Sequence, residues 1–368
     1  MIDRLEPFDI ERFLDCYWQQ RPCLIGNWLK PSARSLTELL ALADEHELPS
    51  RLVTGCQEQA NWTVSHGPLD QASIPTGQRD WTVLVQEVDK VSADVASILE
   101  AFRFLPDWMI DDVMISQAAD GGSVGAHVDA YDVFLIQAAG RRRWQLAKEF
   151  DPAPDPRFEL ALLENWQPEF ELNAEPGDAL YLPAGVAHHG VAEGPCQTWS
   201  VGLRTPSGPE LMFFLAEVLG EDDLQLPRLA MPEPDRDNPA LVNADLLGRV
   251  RRLLTDCLAL DDQQLAELSG RFLSSWRLWS APPEPVDARQ LEQALVAGDS
   301  VTLVSTARLA LVPENGDTAL YVNGERIDCP GKLGRELAAT RTIGVQWRQY
   351  PDTLDHLLEL DALAIGRR

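Results

Sequence analysis

The sequence predicts an α+β fold in three parts: a strand-built barrel over residues 1–206, helices over 207–280, and a small mixed module over 281–368. Three observations carry this reading. Between residues 51 and 204, short apolar runs of strand type recur, bounded by Gly, Pro, Asn or Asp turn residues. Segments 209–220, 240–257 and 261–279 then repeat apolar residues at helical spacing. Beyond the stiff stretch APPEPV at 281–286, helix and strand patterns mix. With 368 residues and 45% hydrophobic content, the chain can bury a sizeable core in two or three domains.

Taken in order, FDIERFLDCYWQQ at 8–20 has helical spacing that Arg21-Pro22 ends, before a short strand CLIG. These form an N-terminal covering segment. Leu36 to Leu48 reads as an amphipathic helix, and RLVTG at 51–55 and NWTVSHG at 61–67 as strands. His66, followed by Gly-Pro, reads as a structural turn residue, with a substrate contact as the alternative. WTVLVQEV at 81–88 is a strand and 91–103 a helix. Asp112, Met114 and Ser116 alternate on one strand face, while Val113 and Ile115 fill the other. If that first face lines a pocket, Asp112 can pair with a cation; otherwise it is a surface or salt-bridged aspartate.

The centre of the chain is GGSVGAHVDAYDVFLIQAAGRRRW at 121–144. In an extended strand His127 and Asp129 point the same way, so both can hold one ion. EPGDALYLPAGVAHHG at 175–190 supplies His188, 61 residues after His127. Two histidines and a carboxylate on one face of an ion are the set used by non-haem Fe(II) oxygenases. Tyr131 shares the face of His127 if the strand stays regular, as a substrate contact or as core. Residues 132–139 and 141–147, separated by Gly140, suggest a hairpin. Alternation sets Arg142 apart from Arg141 and Arg143, so its fork of donors can point inward toward a dicarboxylate, although a triple-arginine run is commonly a solvated face. The same alternation turns His189 away from His188. CQTWSVGLR at 196–204 is a further strand, carrying Ser200.

Six scattered cysteines without a CxxC pair indicate reduced thiols rather than a zinc site or disulfide framework. The net charge of −27 argues against binding naked nucleic acid and favours basic partners, or serves solubility alone. No run approaches membrane-spanning length, and the start MIDRLEPFDIERF lacks the order of a signal peptide. A cytoplasmic protein that neither enters nor anchors to membranes is expected.

Gly177, Pro183, Gly185 and His188, in the order G-x5-P-x-G-x2-H, resemble the second cupin motif, and Gly121 with His127 and Asp129 resembles the first. HVD, Arg142 fifteen residues after His127, and PAGVAHHG resemble the JmjC branch of the 2-oxoglutarate oxygenases. WQQRP at 18–22, VSHGP at 64–68, LPDWMIDDVMIS at 105–116 and YVNGERID at 321–328 are similar to the bacterial ribosomal oxygenases, so the resemblance covers nearly the whole chain. It implies a double-stranded β-helix (jelly-roll) core, Fe(II) held by His127, Asp129 and His188, and 2-oxoglutarate anchored by Arg142 with Ser116 and Ser200 nearby. It further implies O2 as co-substrate and hydroxylation of an arginine of ribosomal protein L-sixteen, contacted by Asp112, Met114 and Tyr131.

For the rest of the chain the resemblance implies a homodimer formed through the helices at 207–280; packing against the barrel would give the same apolar pattern. Residues 287–297 read as helix, SVTLV and RLALV as strands, and LYVNGERI carries an Asn-Gly hairpin signal. The mix resembles a winged-helix module, yet 12 acids against 9 bases from Asp287 onward make DNA binding doubtful there. The competing functional class is another cupin-type metalloprotein: an isomerase, a dioxygenase without 2-oxoglutarate, or a non-catalytic binding module. The aspartate of HVD and an inward Arg142 weigh against it, and 2-oxoglutarate turnover separates the two.

Overall fold

The computed structural model describes residues 2–221, 228–230, 240–278 and 285–366. The linker expected at 281–286 lies mostly outside these. The chain folds as two units, Met1–Thr205 and Pro206–Arg368.

The first unit holds eleven strands in one sheet: β1 (Asp3–Leu5), β2 (Cys23–Ile25), β3 (Ser50–Thr54), β4 (Thr63–His66), β5 (Trp81–Val85), β6 (Ile110–Ala118), β7 (His127–Val128), β8 (Asp132–Ala147), β9 (Phe170–Ala174), β10 (Ala179–Leu182) and β11 (Ala187–Leu203). Its order is β1-β2-β10-β8-β11-β6-β5-β3-β4, with β7 on β11 and β9 on β8. Apart from the parallel β1–β2 pair, neighbours are antiparallel. Helix α1 (Ile10–Cys16), capped by Asp9, and α2 (Leu36–Glu45), closed by a Ser35/Glu38 capping box, are shorter than the sequence pattern suggested but lie where it placed them. Residues 91–103, expected as one helix, instead span the end of the short α3 (Val88–Val91), the single turn α4 (Ala93–Ala96) and a 3₁₀ segment at Ser97–Phe102.

The period-two pattern of β8 gives each of its faces a function. Phe134 joins Phe13, Phe102, Trp28 and Tyr181 in an aromatic cluster with ring centroids 4.9 to 5.8 Å from it. Val133 and Leu135 pack on the opposite side with Trp144, Leu146, Leu180 and Leu182. The hairpin expected at Gly140 does not exist. β8 runs unbroken through Gly140, whose φ of +65° bends the strand rather than reversing it. Opposite it, β11 carries extra residues between Glu193 and Gln197, where the register shifts. A side chain at Gly140 would meet the Pro195 carbonyl at 2.2 Å, so glycine here serves a bulge, which sequence alone does not separate from a turn.

In the second unit, α5 (Gly208–Glu221), α6 (Ala244–Cys257) and α7 (Asp262–Ser275) realise the three helical patterns. α7 lays Ala266 and Leu273 against Ala310, Val312, Ala319 and Tyr321. Gly270 admits the Tyr321 ring, which an added Cβ would meet at 2.5 Å. The helical region and the C-terminal module, read from the sequence as two parts, therefore pack through α7 into one compact unit. That module comprises α8 (Ala288–Ala297), β12 (Ser300–Leu303), β13 (Leu309–Glu314), β14 (Asp317–Val322), β15 (Glu325–Ile327), α9 (Gly331–Thr340), β16 (Thr342–Ile343), α10 (Pro351–Glu359) and β17 (Leu363–Gly366). They form two three-stranded antiparallel sheets, β16-β12-β17 and β13-β14-β15. The Asn-Gly signal is a true hairpin, with Asn323 and Gly324 both at positive φ between β14 and β15.

Candidate metal centre

Strand pairing brings the two distant motifs together. His127 of β7 and His188 of β11 are direct antiparallel partners, and their ring centroids lie 4.2 Å apart. Asp129 Oδ2 stands 4.0 Å from His127 Nε2 and 3.7 Å from His188 Nε2. Among the described residues these three form the one cluster with metal-binding geometry, all ligand atoms lying within 4.8 Å of one another. β7 ends at Val128, so Asp129 reaches the cluster from beyond the strand rather than by strict alternation. A backbone bond holds it there: the Gly185 amide donates to the Asp129 carbonyl at 2.9 Å. The same turn is fastened from β8, where Asp132 accepts from the Ala184 amide at 2.9 Å and from the Tyr181 hydroxyl at 2.6 Å.

The protonation of both imidazoles follows from their neighbours. His127 Nδ1 lies 3.0 Å from the Gly125 carbonyl, and His188 Nδ1 lies 3.0 Å from that of Val186. A carbonyl only accepts, so each Nδ1 donates its hydrogen there and each Nε2 is left facing Asp129. Burial, followed by the proximity of His127, pushes His188 down to about 4, which keeps it neutral and ready to ligate. His189 faces away, as alternation required: it hydrogen-bonds Gln145 Oε1 at 3.3 Å and packs edge-on against Trp166.

The nine residues that the resemblance implied for metal, co-substrate and substrate line one cavity of about 340 Å³. His127, Asp129 and His188 occupy part of its wall together with Trp144. Arg142 is buried at 3% exposure, its Nη2 donates to Cys196 Sγ at 3.6 Å, its guanidinium lies 5.7 Å from the Trp144 ring centroid, and among the described residues its Nε has no hydrogen-bond partner. A buried guanidinium so sparsely hydrogen-bonded has donors free to meet an anion. Ser116 and Ser200 lie on neighbouring strands of the same cavity. The Ser116 hydroxyl donates to the Thr198 carbonyl at 3.2 Å.

Asp112, Met114 and Tyr131 line the same cavity. Asp112 accepts from the Glu87 amide at 2.9 Å, and burial, reinforced by Asp89, pushes it up to about 7. Tyr131 is stacked under the Arg204 guanidinium at 4.2 Å, and Arg204 Nε lies 2.5 Å from Asp111 Oδ2. His66 takes no part: it pairs with Glu159 at 2.7 Å on the exposed rim.

Several lining residues escaped the sequence reading. Leu160, Ala161 and Leu162 come from the irregular segment between β8 and β9, which carries no periodic pattern, and they line one side of the cavity. Arg51 and Gln86 come from β3 and the end of β5, where a polar residue beside a strand is indistinguishable from a solvated one. Asp132 carried a signal, since a charged residue opening an apolar strand needs a partner, and Tyr181 supplies it.

Residues 97–211 match the JmjC domain model. The chain is 33% identical over 356 residues to the ribosomal protein uL16 3-hydroxylase of Escherichia coli, covering 93% of this chain and 91% of that protein. It is 30% identical to a probable ribosomal oxygenase of Haemophilus influenzae, covering 86% and 82% of the two. The structure of the Escherichia coli ribosomal oxygenase YcfD in complex with cobalt and 2-oxoglutarate superposes with a TM-score of 0.80 at 31% identity, over 98% of this chain and 99% of that one. With identity sustained along nearly the full length of both chains, this protein belongs to the JmjC-type ribosomal oxygenase family.

Proposed function

We propose that the protein is an Fe(II)- and 2-oxoglutarate-dependent hydroxylase acting on an arginine side chain of ribosomal protein uL16. The observation that carries this is the pairing, in one cavity, of a two-histidine, one-carboxylate cluster with a buried guanidinium that lacks an acidic partner among the described residues. The donor set fits a ferrous ion on one face and leaves the other face open. Arg142 fits the far carboxylate of 2-oxoglutarate, which would complete its hydrogen bonds, and Ser116 and Ser200 line the same cavity. When bound, iron and 2-oxoglutarate with O2 supply the oxidising power to replace an unactivated C–H bond by C–OH.

The chain's own residues supply position. The Gly125 and Val186 carbonyls fix both imidazole rings, and Gly185 fixes Asp129. Asp112 receives the substrate guanidinium, while Tyr131 and Met114 pack along its methylenes. Leu84, Val124, Leu160 and Leu162 keep the surroundings apolar and exclude water. The competing class of a metalloprotein that does not use 2-oxoglutarate leaves Arg142 buried without a purpose.

The acidic chain suits a basic ribosomal partner in the cytoplasm, and no described helix is long and apolar enough to cross a membrane. A homodimer is supported by α6, where Leu247, Val250, Leu254 and Leu258 share one face and are 37% to 56% exposed. Mass spectrometry of ribosomal proteins from cells with and without the enzyme tests the activity: one added oxygen on an arginine of uL16 only when the enzyme is present supports it, and identical masses refute it.

A further inference from the structure

Among the three arginines of the cavity wall, Arg204 lies against Asp111, and Arg142 is placed for the co-substrate carboxylate. Arg51 is left over. Its Nε is buried without a hydrogen-bond partner, and no ion pair to it exists among the described residues of a chain carrying net charge −27. Leaving a half-buried guanidinium unsatisfied is costly unless something arrives to accept its hydrogens.

Arg51 also belongs to a second wall. A neighbouring cavity of about 550 Å³ lies between the C-terminal end of α2 and the β3–β4 pair, and Arg51 and Gln86 are the two residues common to both cavities. The two cavities therefore adjoin at these two residues. The outer cavity is bordered by the exposed carboxylates of Asp44 and Glu47.

We propose, on the basis of the hydroxylase reading above, that Arg51 and Gln86 hold the main chain of the polypeptide substrate where it passes from the catalytic cavity into this outer one. Arg51 only donates, and the Asp112 carboxylate of the same cavity is assigned above to the substrate guanidinium, so the acceptor that Arg51 meets is a neutral one. Main-chain carbonyls flanking the target residue are the acceptors that every peptide carries. Gln86 offers one donor and one acceptor, the complement of a peptide unit. Asp44 and Glu47 then meet a basic side chain further along the segment. The arrangement selects a residue within a polypeptide over the same free amino acid.

The test uses fluorescein-labelled overlapping peptides of uL16 on the full-length protein with iron and 2-oxoglutarate under nitrogen, so that binding is read by anisotropy without turnover. Arg51→Met and Gln86→Ala are each expected to raise the Kd of the tightest peptide, about tenfold to a hundredfold for the arginine. In air the KM for that peptide rises in parallel while kcat changes less, and Arg51→Lys recovers part of the loss. A wild-type Kd in Arg51→Met overturns the proposal, as does a rise in the KM for 2-oxoglutarate instead of the peptide. If the unaltered protein forms no succinate and binds none of the peptides, the hydroxylase reading itself has failed and this inference falls with it.

Discussion

Replacing Arg142 by methionine removes a charge while keeping most of the side chain's bulk, and the structure fixes how large the effect must be. The guanidinium is 3% exposed, touches Cys196 Sγ at 3.6 Å and has no protein partner at Nε. A carboxylate placed there would gain two charge-assisted hydrogen bonds, each contributing about 1.5 to 3 kcal/mol. Their loss is about 3 to 6 kcal/mol, or roughly a hundredfold to twenty-thousandfold in affinity. The folded chain should lose little stability, because an uncompensated buried charge disappears with the side chain. The assay is succinate formation against 2-oxoglutarate concentration, with iron binding and thermal unfolding measured in parallel. The KM for 2-oxoglutarate should rise by that factor while iron is retained and the melting temperature holds. A KM within threefold of the parent, with iron still bound, would show that the guanidinium anchors no co-substrate.

Other consequences follow from the same geometry. Asp129→Ala should weaken iron affinity by at least about a hundredfold in a metal-competition titration, since two imidazoles alone hold the ion poorly; unchanged affinity would remove Asp129 from the ligand set. Asp112 is pushed up to about 7, first by burial and then by Asp89 and Asp111, with the Glu87 amide and Lys90 opposing. It is therefore ionised only as pH rises through about 7, and the KM for an arginine-bearing peptide should fall nearly tenfold per unit up to that point and then level. Asp112→Asn should abolish the slope, and a flat profile in the parent would sink the role assigned to the carboxylate. Gly190→Ala would drive a methyl to 2.5 Å from the Trp144 ring, which packs beneath His188, so it should cost about 1 to 3 kcal/mol in denaturant unfolding. Leu254→Asp, on the exposed face of α6, should shift a dimer to monomer in analytical ultracentrifugation; a monomeric parent protein would rule out the proposed homodimer.

The candidate metal cluster was legible because both motifs encode their own geometry. Turn glycines and prolines surround each, and the separation of His127 and His188 is bridged by antiparallel pairing. The alternation that set Arg142 and His188 inward and His189 outward is a local property of strands, and it held. What failed was whatever depended on long-range contacts. Gly140 reads equally as a turn or a bulge, and only the extra residues of β11 opposite it decide. Asp129 was placed correctly by an alternation the structure does not have, because the Gly185 amide rather than a strand holds it. Leu160 and Leu162 lacked any periodic signal, since a loop closing a cavity follows no repeat. The helical patterns beyond residue 208 were readable as helices, while their union with the C-terminal sheets rests on Gly270 meeting Tyr321, which no local pattern announces.

The central claim is that His127, Asp129 and His188 hold one ferrous ion to which a 2-oxo acid anchored by Arg142 can add. An anaerobic titration of the metal-free protein with Fe(II) and 2-oxoglutarate, followed by visible absorption, reads both at once, because a 2-oxo acid chelated to ferrous iron is coloured. One iron per chain should develop the band in the parent protein, none should develop in His188→Ala, and Arg142→Met should require far more 2-oxoglutarate. A colourless parent, or an undiminished band without His188, would contradict the account.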